Sequence, residues 1–182
     1  QYRGNDGGEG SEAFGGDDIN DVVNLIPLAE KLPCADMSQI GMLGYSRGGM
    51  MAYLAAKSGA PLKAVAVIGA PTNLLETYRD RDDIREAFCK LIGGPPSECK
   101  DEYIRRSAYY WPEKLKVPFL ILHGENDWRV DVNQSKKLVQ KLEKLNSPHF
   151  FEIFPGSDHN LSIHRNERNT MIFEWFDTYL RT

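Results

Sequence analysis

The sequence has no strong excess of charge of one sign and no long apolar run. Its 26 acidic and 22 basic residues leave a net charge of −4. This balance indicates neither nucleic acid nor an anionic membrane surface as a partner, because both attract strongly basic proteins. No apolar stretch approaches the roughly 20 residues of a membrane span, and no internal repeat is visible. With 41% hydrophobic and 26% charged residues, the chain is typical of a soluble globular protein.

Cysteine is also scarce. The chain holds three, Cys34, Cys89 and Cys99, and an odd number disfavours a disulfide framework. Cys89 and Cys99 flank "LIGGPPSE" and would be able to pair in an oxidising compartment, but reduced thiols in a cytoplasmic enzyme are the preferred interpretation. No spacing of Cys and His resembles a zinc site, so neither a metal nor another cofactor is expected.

The chain begins at Gln1 rather than at Met, without a signal peptide or a basic transit segment. We therefore expect the natural start of the polypeptide to lie upstream. The 182 residues are enough for one domain, 1–182, with a substantial core. The opening "QYRGNDGGEGSEAFGG" is predicted as loop, and no strand precedes its glycines as a dinucleotide-binding loop would require.

Strand-like and helix-like segments then alternate along the chain. A first helix is predicted from Asp17 to about Leu32, and Pro27 should kink or shorten it. Further helices are predicted at 47–58, 133–145 and 166–181. Four short, continuously apolar runs, typical of buried parallel strands, lie at 39–45, 63–70, 117–124 and 149–155. The alternation predicts an α/β sandwich with a mostly parallel sheet and flanking helices.

Residues 71–112 interrupt this rhythm. They contain helical patterns near 81–92 and 98–108, the turn "GGPP" and many aromatic residues. We interpret 71–112 as an insertion over the carboxyl ends of the strands, where ligands bind in open α/β sheets.

The stretch "GYSRG", residues 44–48, joins the apolar run "IGMLGY" to the helical "GMMAYLAAK". Gly-x-Ser-x-Gly between a strand and a helix forms a sharp, strained turn that exposes the serine Oγ, and both flanking positions must be small because the two backbones crowd there. The turn also aims the N–H of Arg47, at a helix N-terminus, toward the space above Oγ. Ser46 is therefore the candidate nucleophile, and the Arg47 N–H is a candidate oxyanion donor.

A nucleophilic serine needs a base, and the base needs an orienting acid. Asp127 in "LILHGENDWRV" follows the third predicted strand, and His159 in "FPGSDHN" follows the fourth. The order Ser46, Asp127, His159 is that of α/β-hydrolases, and each separation leaves room for a strand-helix unit.

Other titratable residues near these positions are weaker candidates. His164 is the second choice for the base. The rest are given structural roles: His123 in the strand core, His149 at the surface, Glu125 and Asp158 in loops, and Asp131 as the N-cap of helix 133–145.

Together these motifs resemble the catalytic domain of the prolyl-oligopeptidase family of serine peptidases, an α/β-hydrolase branch that includes acylaminoacyl and dipeptidyl peptidases. The matching stretches span nearly the whole chain: "YRGNDGGEG", "GGDDINDVVNLI", "IGMLGYSRGGMMAYLAA", "KAVAVIGAPTNL", "VPFLILHGENDWRV" and "FPGSDHNL". The resemblance implies Ser46 as nucleophile, Asp127 as acid, His159 as base and the Arg47 N–H as half of the oxyanion hole.

The chain departs from the family pattern on its amino-terminal side. Family members have several strands and a His-Gly-Gly or Tyr-Gly-Gly type loop, the source of the second oxyanion donor, before the stretch where this chain begins. Many also have a β-propeller. The resemblance therefore implies a fold truncated on that side, with the Ser46 strand as an exposed parallel edge, which proteins rarely leave uncovered. We expect a homo-oligomer or a complementing N-terminal part; alternatively, the glycine-rich opening segment folds back to supply the donor.

The expected activity is hydrolysis of a peptide or ester bond in a small substrate through an acyl-enzyme on Ser46. Aromatic residues offer an apolar substrate pocket: Tyr45, Phe88, Tyr109, Trp111 and Trp128. Two alternatives stay open, a carboxylesterase rather than a peptidase, and a non-catalytic fragment or assembly module that keeps the fold.

Overall fold

Four parallel strands form the centre of the computed structural model, which describes residues 1–181. They are β1 (Gly41–Tyr45), β2 (Ala64–Ile68), β3 (Phe119–Gly124) and β4 (His149–Phe154). They pair in chain order, β1-β2-β3-β4, and every neighbouring pair is parallel. All four predicted strands are confirmed, each slightly shorter than its apolar run in the sequence.

Helices cover both faces of this sheet. α3 (Arg47–Lys57) and α7 (Val132–Lys144) pack on one face, and α8 (Arg165–Leu180) packs on the other. Consecutive residues of β2 point to opposite sides, so that Val65 joins the α3 side while Ala66 joins the α8 side. Because both faces are covered, β2 is apolar at every position and β3 is apolar from Phe119 to Leu122. The α/β sandwich with a parallel sheet is thereby confirmed.

The helix predicted before residue 32 is split in two. α1 spans Ile19–Val23 and α2 spans Leu25–Ala29. Pro27 has no N–H to donate to the carbonyl of Val23, and its ring clashes with that carbonyl. The helix therefore breaks directly after Val23, which confirms the kink expected from Pro27.

Three helices and several short turns make up residues 71–112. α4 (Leu74–Asp80), α5 (Arg85–Ile92) and α6 (Pro96–Arg105) follow one another before β3. The patterns predicted near 81–92 and 98–108 correspond to α5 and α6, whereas α4 has no counterpart in the sequence prediction. Buried aromatic residues tie this region into the same core as α3: Phe88, Tyr103 and Trp111.

β1 is one edge of the sheet, since among residues 1–181 it pairs with β2 alone. Leu43 and Tyr45 of this strand are exposed, and so are Leu25 and Leu28 of α2. An unpaired strand edge is a template for pairing with a further strand, and exposed apolar residues on the same strand strengthen that tendency.

The three cysteines are free thiols. The Sγ of Cys89 lies 3.7 Å from the Tyr78 hydroxyl oxygen, and the Sγ of Cys99 lies 3.1 Å from the Gly94 carbonyl oxygen. Each helix within residues 1–181 is too short or too polar to span a lipid bilayer.

Candidate active site

Ser46 stands at the turn between β1 and α3. Its backbone has φ 51° and ψ −119°, a sparsely populated conformation that costs a residue other than glycine roughly 1–3 kcal/mol. Hydrogen bonds hold it there, because the Ser46 N–H donates to Ile68 O at 2.8 Å and Ser46 O accepts from the Gly49 N–H at 2.9 Å. The strand and the helix together therefore impose the strained turn that the sequence motif predicts.

The glycines around Ser46 are needed for different reasons. A Cβ on Gly44 would lie 2.4 Å from the Gly48 carbonyl oxygen, and one on Gly49 would lie 2.5 Å from the Cβ of Ala70. A Cβ on Gly48 would meet nothing within 4 Å outside its own helix. The expectation that both flanking positions are crowded is correct for Gly44 and wrong for Gly48, because α3 meets the sheet one residue later, at Gly49.

Asp127 and His159 meet beyond the ends of β3 and β4. These strands are parallel neighbours, so the loops that follow them emerge on the same side. His159 Nδ1 lies 2.6 Å from Asp127 Oδ2, and both side chains are buried. The other ring nitrogen, Nε2, is buried and has no hydrogen-bond partner within residues 1–181. Within the part of the chain that the structure describes, the imidazole is thus hydrogen-bonded through Nδ1 alone.

Four N–H groups surround the Asp127 carboxylate. Oδ1 accepts from the backbone N–H of Arg129 at 2.9 Å and of Val130 at 3.0 Å. Oδ2 faces His159 Nδ1 and also His123 Nε2, which lies 3.1 Å away. Burial raises the pKa of Asp127, but the hydrogen bonds from His123, His159 and Val130 outweigh burial and hold this pKa well below its usual value. Asp127 is therefore a carboxylate at neutral pH.

Two contacts place the Asp127–His159 pair beside the serine turn. Tyr45 lies edge-on to His159, with ring centroids 5.3 Å apart, and its hydroxyl is within hydrogen-bond distance of both Asn160 Oδ1 and His159 O, the latter at 3.0 Å. Gly69 follows the β2 residue that accepts the Ser46 N–H bond, and a Cβ there would lie 3.0 Å from His159 Nδ1. The structure thus brings Ser46, Asp127 and His159 to one end of the sheet. Within residues 1–181 no hydrogen bond joins Ser46 Oγ to His159 Nε2, and such bonds often form only with substrate.

Arg47 contributes its backbone and its side chain to the site. Its N–H lies at the start of α3, where helix N–H groups lack an intrahelical acceptor. Its guanidinium pairs with Glu12 and, at 2.9 Å, with Asp18. It also stacks on Tyr2 and Phe14, at 4.4 and 4.7 Å from their ring centroids. The opening segment of the chain therefore folds back onto the neighbour of the candidate nucleophile.

A cavity of about 240 Å³ opens beside Ser46. Three arginines, Arg47, Arg81 and Arg129, also line it. The apolar part of the wall consists of Phe14, Pro71, Ile84, Ala87, Phe88 and Val130. The α4–α5 part of residues 71–112 therefore forms one side of the candidate site.

The predicted pocket residues Phe88, Trp128 and Tyr45 lie at or near this site. Phe88 lines the cavity beside Ser46. Trp128 is exposed and contacts the guanidinium groups of Arg81 and Arg129, with Cζ atoms 5.0 and 5.1 Å from its ring centroid. It borders a second cavity that Asp127 also lines. Tyr45 supports the imidazole of His159 instead of lining either cavity.

The other two predicted pocket residues, Tyr109 and Trp111, line neither of these cavities. Trp111 is buried in the core, where its Nε1 donates to Ile104 O at 3.2 Å and Lys57 lies over its ring. Tyr109 packs its ring against Lys141, whose Nζ lies 3.7 Å from the ring centroid. Trp111 is thus engaged by the core and Tyr109 by α7, and neither contributes to the wall beside Ser46.

The remaining candidates take structural positions. Glu125 accepts from the Gly156 N–H at 2.9 Å, and Asp131 caps α7 by accepting from the Asn133 N–H at 2.8 Å, as predicted. His164, the second choice for the base, bonds to Ser157 Oγ through Nδ1 at 2.7 Å. Within residues 1–181, no three His, Cys, Asp or Glu side chains are grouped so as to hold a metal ion.

Sequence reasoning missed two residues of this site, His123 and Gly69. His123 is buried, as its assignment to the strand core requires, but it also contacts the Asp127 carboxylate. Its position four residues before Asp127, at the end of a strand, is the sequence signal that links the two. Gly69 is recognisable only as a glycine that ends a strand.

The serine turn between β1 and α3, with an acid after β3 and a histidine after β4, defines an α/β-hydrolase. The sequence profile of the prolyl oligopeptidase family matches residues 7–182. The chain belongs to this family of serine peptidases, which confirms the resemblance drawn from its motifs.

Known relatives match most of this chain but are longer. YtmA of Bacillus subtilis, an uncharacterized peptidase, is 35% identical over 148 residues, 81% of this chain and 58% of YtmA. The acylaminoacyl peptidase of Pyrococcus horikoshii matches 94% of this chain and 29% of its own, with a TM-score of 0.85 and 25% identity. An acylaminoacyl peptidase in complex with Z-Gly-Gly-Phe-chloromethyl ketone has a TM-score of 0.83 and 27% identity, over 93% of this chain and 28% of its own. The chain thus spans 58% of the first relative and less than a third of the other two.

Proposed function

We propose that this chain hydrolyses peptide or ester bonds by acyl transfer through Ser46, His159 and Asp127. The observation that carries the proposal is the His159 imidazole, whose Nδ1 lies 2.6 Å from Asp127 while its buried Nε2 has no partner within residues 1–181. A ring bound in this way carries a proton on Nδ1 and a lone pair on Nε2, the state that a general base for serine requires. Membership in a serine peptidase family supports the same roles.

In the proposed reaction, His159 Nε2 takes the Ser46 hydroxyl proton as Oγ attacks the substrate carbonyl carbon. Asp127 keeps the imidazole in the required tautomer and stabilises the imidazolium, while the oxyanion accepts a hydrogen bond from the Arg47 N–H. The imidazolium then protonates the leaving amine or alcohol, its bond to the acyl carbon breaks, and the acyl group stays on Oγ. Water, deprotonated by His159, then attacks that acyl carbon. The bond between this carbon and Oγ breaks, the acid product leaves, and the imidazolium returns the proton to Ser46 Oγ.

The cavity beside Ser46 suggests the substrate. Its apolar walls and its volume of about 240 Å³ suit a large apolar side chain next to the scissile bond. The related acylaminoacyl peptidase with Z-Gly-Gly-Phe-chloromethyl ketone holds a peptidyl ligand of this kind. We therefore propose a small peptide as substrate, with esters of the same acyl group cleaved by the same residues.

A fluorophosphonate probe tests the nucleophile, because it bonds covalently to an activated serine. The purified chain should gain the mass of one phosphonyl group, and Ser46→Ala should not be labelled. Ser162→Ala, at an exposed serine that donates to Asp158, is the matched control and should be labelled like the wild type. A folded wild-type chain without label, or a labelled Ser46→Ala, would refute the proposal.

A variant whose side chain fills the cavity beside Ser46 tests whether this cavity binds the apolar side chain of the substrate. Ala87 is an exposed residue of α5 that lines the cavity, so Ala87→Trp should occupy it without disturbing the core. The expected result is a lower kcat/KM for phenylalanyl substrates and little change for alanyl ones, with fluorophosphonate labelling retained. An equal loss for both kinds of substrate would place the side-chain pocket elsewhere.

A further inference from the structure

We propose that His123 is a positioning residue for the catalytic acid, in that it fixes the turn that carries Asp127 and shares a proton with its carboxylate. The proposal rests on the roles proposed above for Asp127 and His159. His123 does not face the cavity beside Ser46, so it acts through Asp127 and not on the substrate.

The surroundings of His123 determine its tautomer. Its side chain is fully buried, and Nε2 lies 2.9 Å from Val130 O and 3.1 Å from Asp127 Oδ2. Both of those oxygens accept only, so Nε2 must carry a proton. That proton points mainly to Val130 O, and Asp127 Oδ2 lies to its side in a three-centre arrangement. Nδ1 lies 2.8 Å from Ser135 Oγ, whose hydroxyl is able to donate to it.

These contacts close a ring around the acid. Val130 O accepts from His123, and the Val130 N–H donates to Asp127 Oδ1 at 3.0 Å. The backbone from Asp127 to Val130 is therefore held at both ends, by its own carboxylate and by the imidazole of β3. Without the imidazole, Val130 O would be buried without this partner, and the turn that aims Asp127 at His159 would lose one of its supports.

The neighbours of His123 in β3 show that core packing at position 123 would favour an apolar residue over a histidine. Side chains two residues apart in a strand share one face, and the residues that precede His123 on its face are Phe119 and Ile121, both in the apolar core. A phenylalanine or leucine would continue this row. A buried imidazole instead requires partners for both ring nitrogens, and it finds them in α7 and in the turn that carries the acid.

The N–H of His123 also affects how strongly the Asp127 carboxylate stabilises the protonated form of His159. Oδ2 faces both imidazoles, so an N–H from His123 withdraws part of its negative charge from the His159 imidazolium. When that N–H is removed, Asp127 stabilises the imidazolium more strongly. His159 should then take up its proton at higher pH. Other charged or titratable groups around the pair stay the same in such a comparison: Tyr45 of β1, Arg81 after α4, Arg129 beside the acid, Asp158 beside His159 and Arg168 of α8.

The test is an NMR titration of the His159 ring in the wild type, His123→Phe and His123→Gln. Phe keeps the bulk and removes the donor, while the amide nitrogen of Gln lies where Nε2 was and restores it. We expect the midpoint of the His159 titration to rise in His123→Phe by roughly half a pH unit or more, and to stay near the wild-type value in His123→Gln. Equal midpoints in Phe and wild type, or a Gln variant that behaves like Phe, would overturn the proposal.

Two further variants separate this role from general destabilisation. Ser135→Ala removes the partner of Nδ1 but leaves the Nε2 proton, so it should lower stability without moving the midpoint. If His123→Phe does not fold, His123→Asn replaces it, because its shorter amide does not reach Asp127 and should also raise the midpoint. A rise in Ser135→Ala equal to that in His123→Phe or His123→Asn would refute the proposal.

The titration needs no catalysis, so its outcome is independent of the labelling experiment. A wild-type chain that fails to react with fluorophosphonate would refute the proposed function and leave the His123 measurement interpretable. In an active chain, the acid limb of the kcat/KM profile should shift with the NMR midpoint.

Discussion

Gly69 lies directly against the ring of His159. A Cβ at position 69 would stand 3.0 Å from His159 Nδ1 and 3.2 Å from Asp127 Oδ2, so these side chains would have to give way. The backbone of Gly69 also has φ +55°, a conformation that favours glycine. The backbone just after β2 thus packs directly against the hydrogen-bonded pair of the proposed base and acid.

Gly69→Ala should therefore impair the proposed catalytic pair more than the fold. The methyl group would displace the imidazole or the carboxylate, and misplacement on the scale of an ångström lowers rates on the order of 10–100-fold. The left-handed backbone should cost only about 1–2 kcal/mol of unfolding free energy. Fluorophosphonate labelling rates and urea unfolding measure the two effects separately.

Gly59→Ala is the matched control for this change. Gly59 has φ +81°, yet a Cβ there would meet nothing within 4 Å. It should show the same cost in stability with an unchanged labelling rate. Equal labelling rates for Gly69→Ala and Gly59→Ala would show that the space beside His159 is not what position 69 provides.

The sequence predicts the four strands well, and it predicts the candidate triad residues just beyond their ends, for a physical reason. β2 and residues 119–122 of β3 are buried on both faces and are therefore apolar throughout. Ser46, Asp127 and His159 each follow a strand directly or closely. The direction of the side chains within residues 71–112 cannot be predicted from the sequence in the same way. Phe88 and Trp111 look alike in the sequence, but only packing decides that Phe88 faces the cavity and that Trp111 donates to Ile104 O inside the core.

The contacts of the Arg47 guanidinium with the carboxylates of Glu12 and Asp18 and with the rings of Tyr2 and Phe14, here called the Arg47 clamp, give a second prediction. The Asp18 carboxylate is fully buried, and it pairs with Arg47 at 2.9 Å. Arg47→Met would leave that charge without its partner, which typically costs about 3–5 kcal/mol. We expect the amino-terminal segment to detach from the site while the rest of the fold stays intact. This segment contacts the site through the rings of Tyr2 and Phe14 and through the carboxylates that bind Arg47.

Amide hydrogen exchange measures this opening residue by residue. In Arg47→Met, the N–H groups of residues 15–18 should exchange much faster, while those of β2 and β3 keep their protection. Arg79→Met removes a guanidinium that pairs with Asp80 at the surface, and it should leave the segment protected. Uniform loss of protection through the sheet in Arg47→Met would contradict a local clamp.

The depressed pKa of Asp127 predicts a pH-dependent contribution to stability. Because the carboxylate titrates lower in the folded chain than its usual value of about 3.9, its contribution is fully present above that value and is lost as pH falls through the folded value. Asn cannot ionise. The difference in unfolding free energy between the wild type and Asp127→Asn should therefore shrink as pH falls from about 5 to about 3. Urea unfolding across this range tests it, and a difference independent of pH would contradict the assignment.

The exposed edge of β1 predicts association. Leu43 is 53% exposed on a strand that, within residues 1–181, pairs on one side only, and such edges pair readily with another strand. Light scattering at micromolar concentration should therefore give a mass above that of one chain. Leu43→Lys places a charge on the edge, as protected natural edges do, and should return the mass to that of a monomer.

Phe173→Lys is the control. It replaces a residue of α8 that is 70% exposed, so it removes apolar surface away from the edge and should leave the association intact. A monomeric wild type would show that β1 needs no partner, and loss of association in both variants would assign it to general hydrophobicity instead of the strand edge.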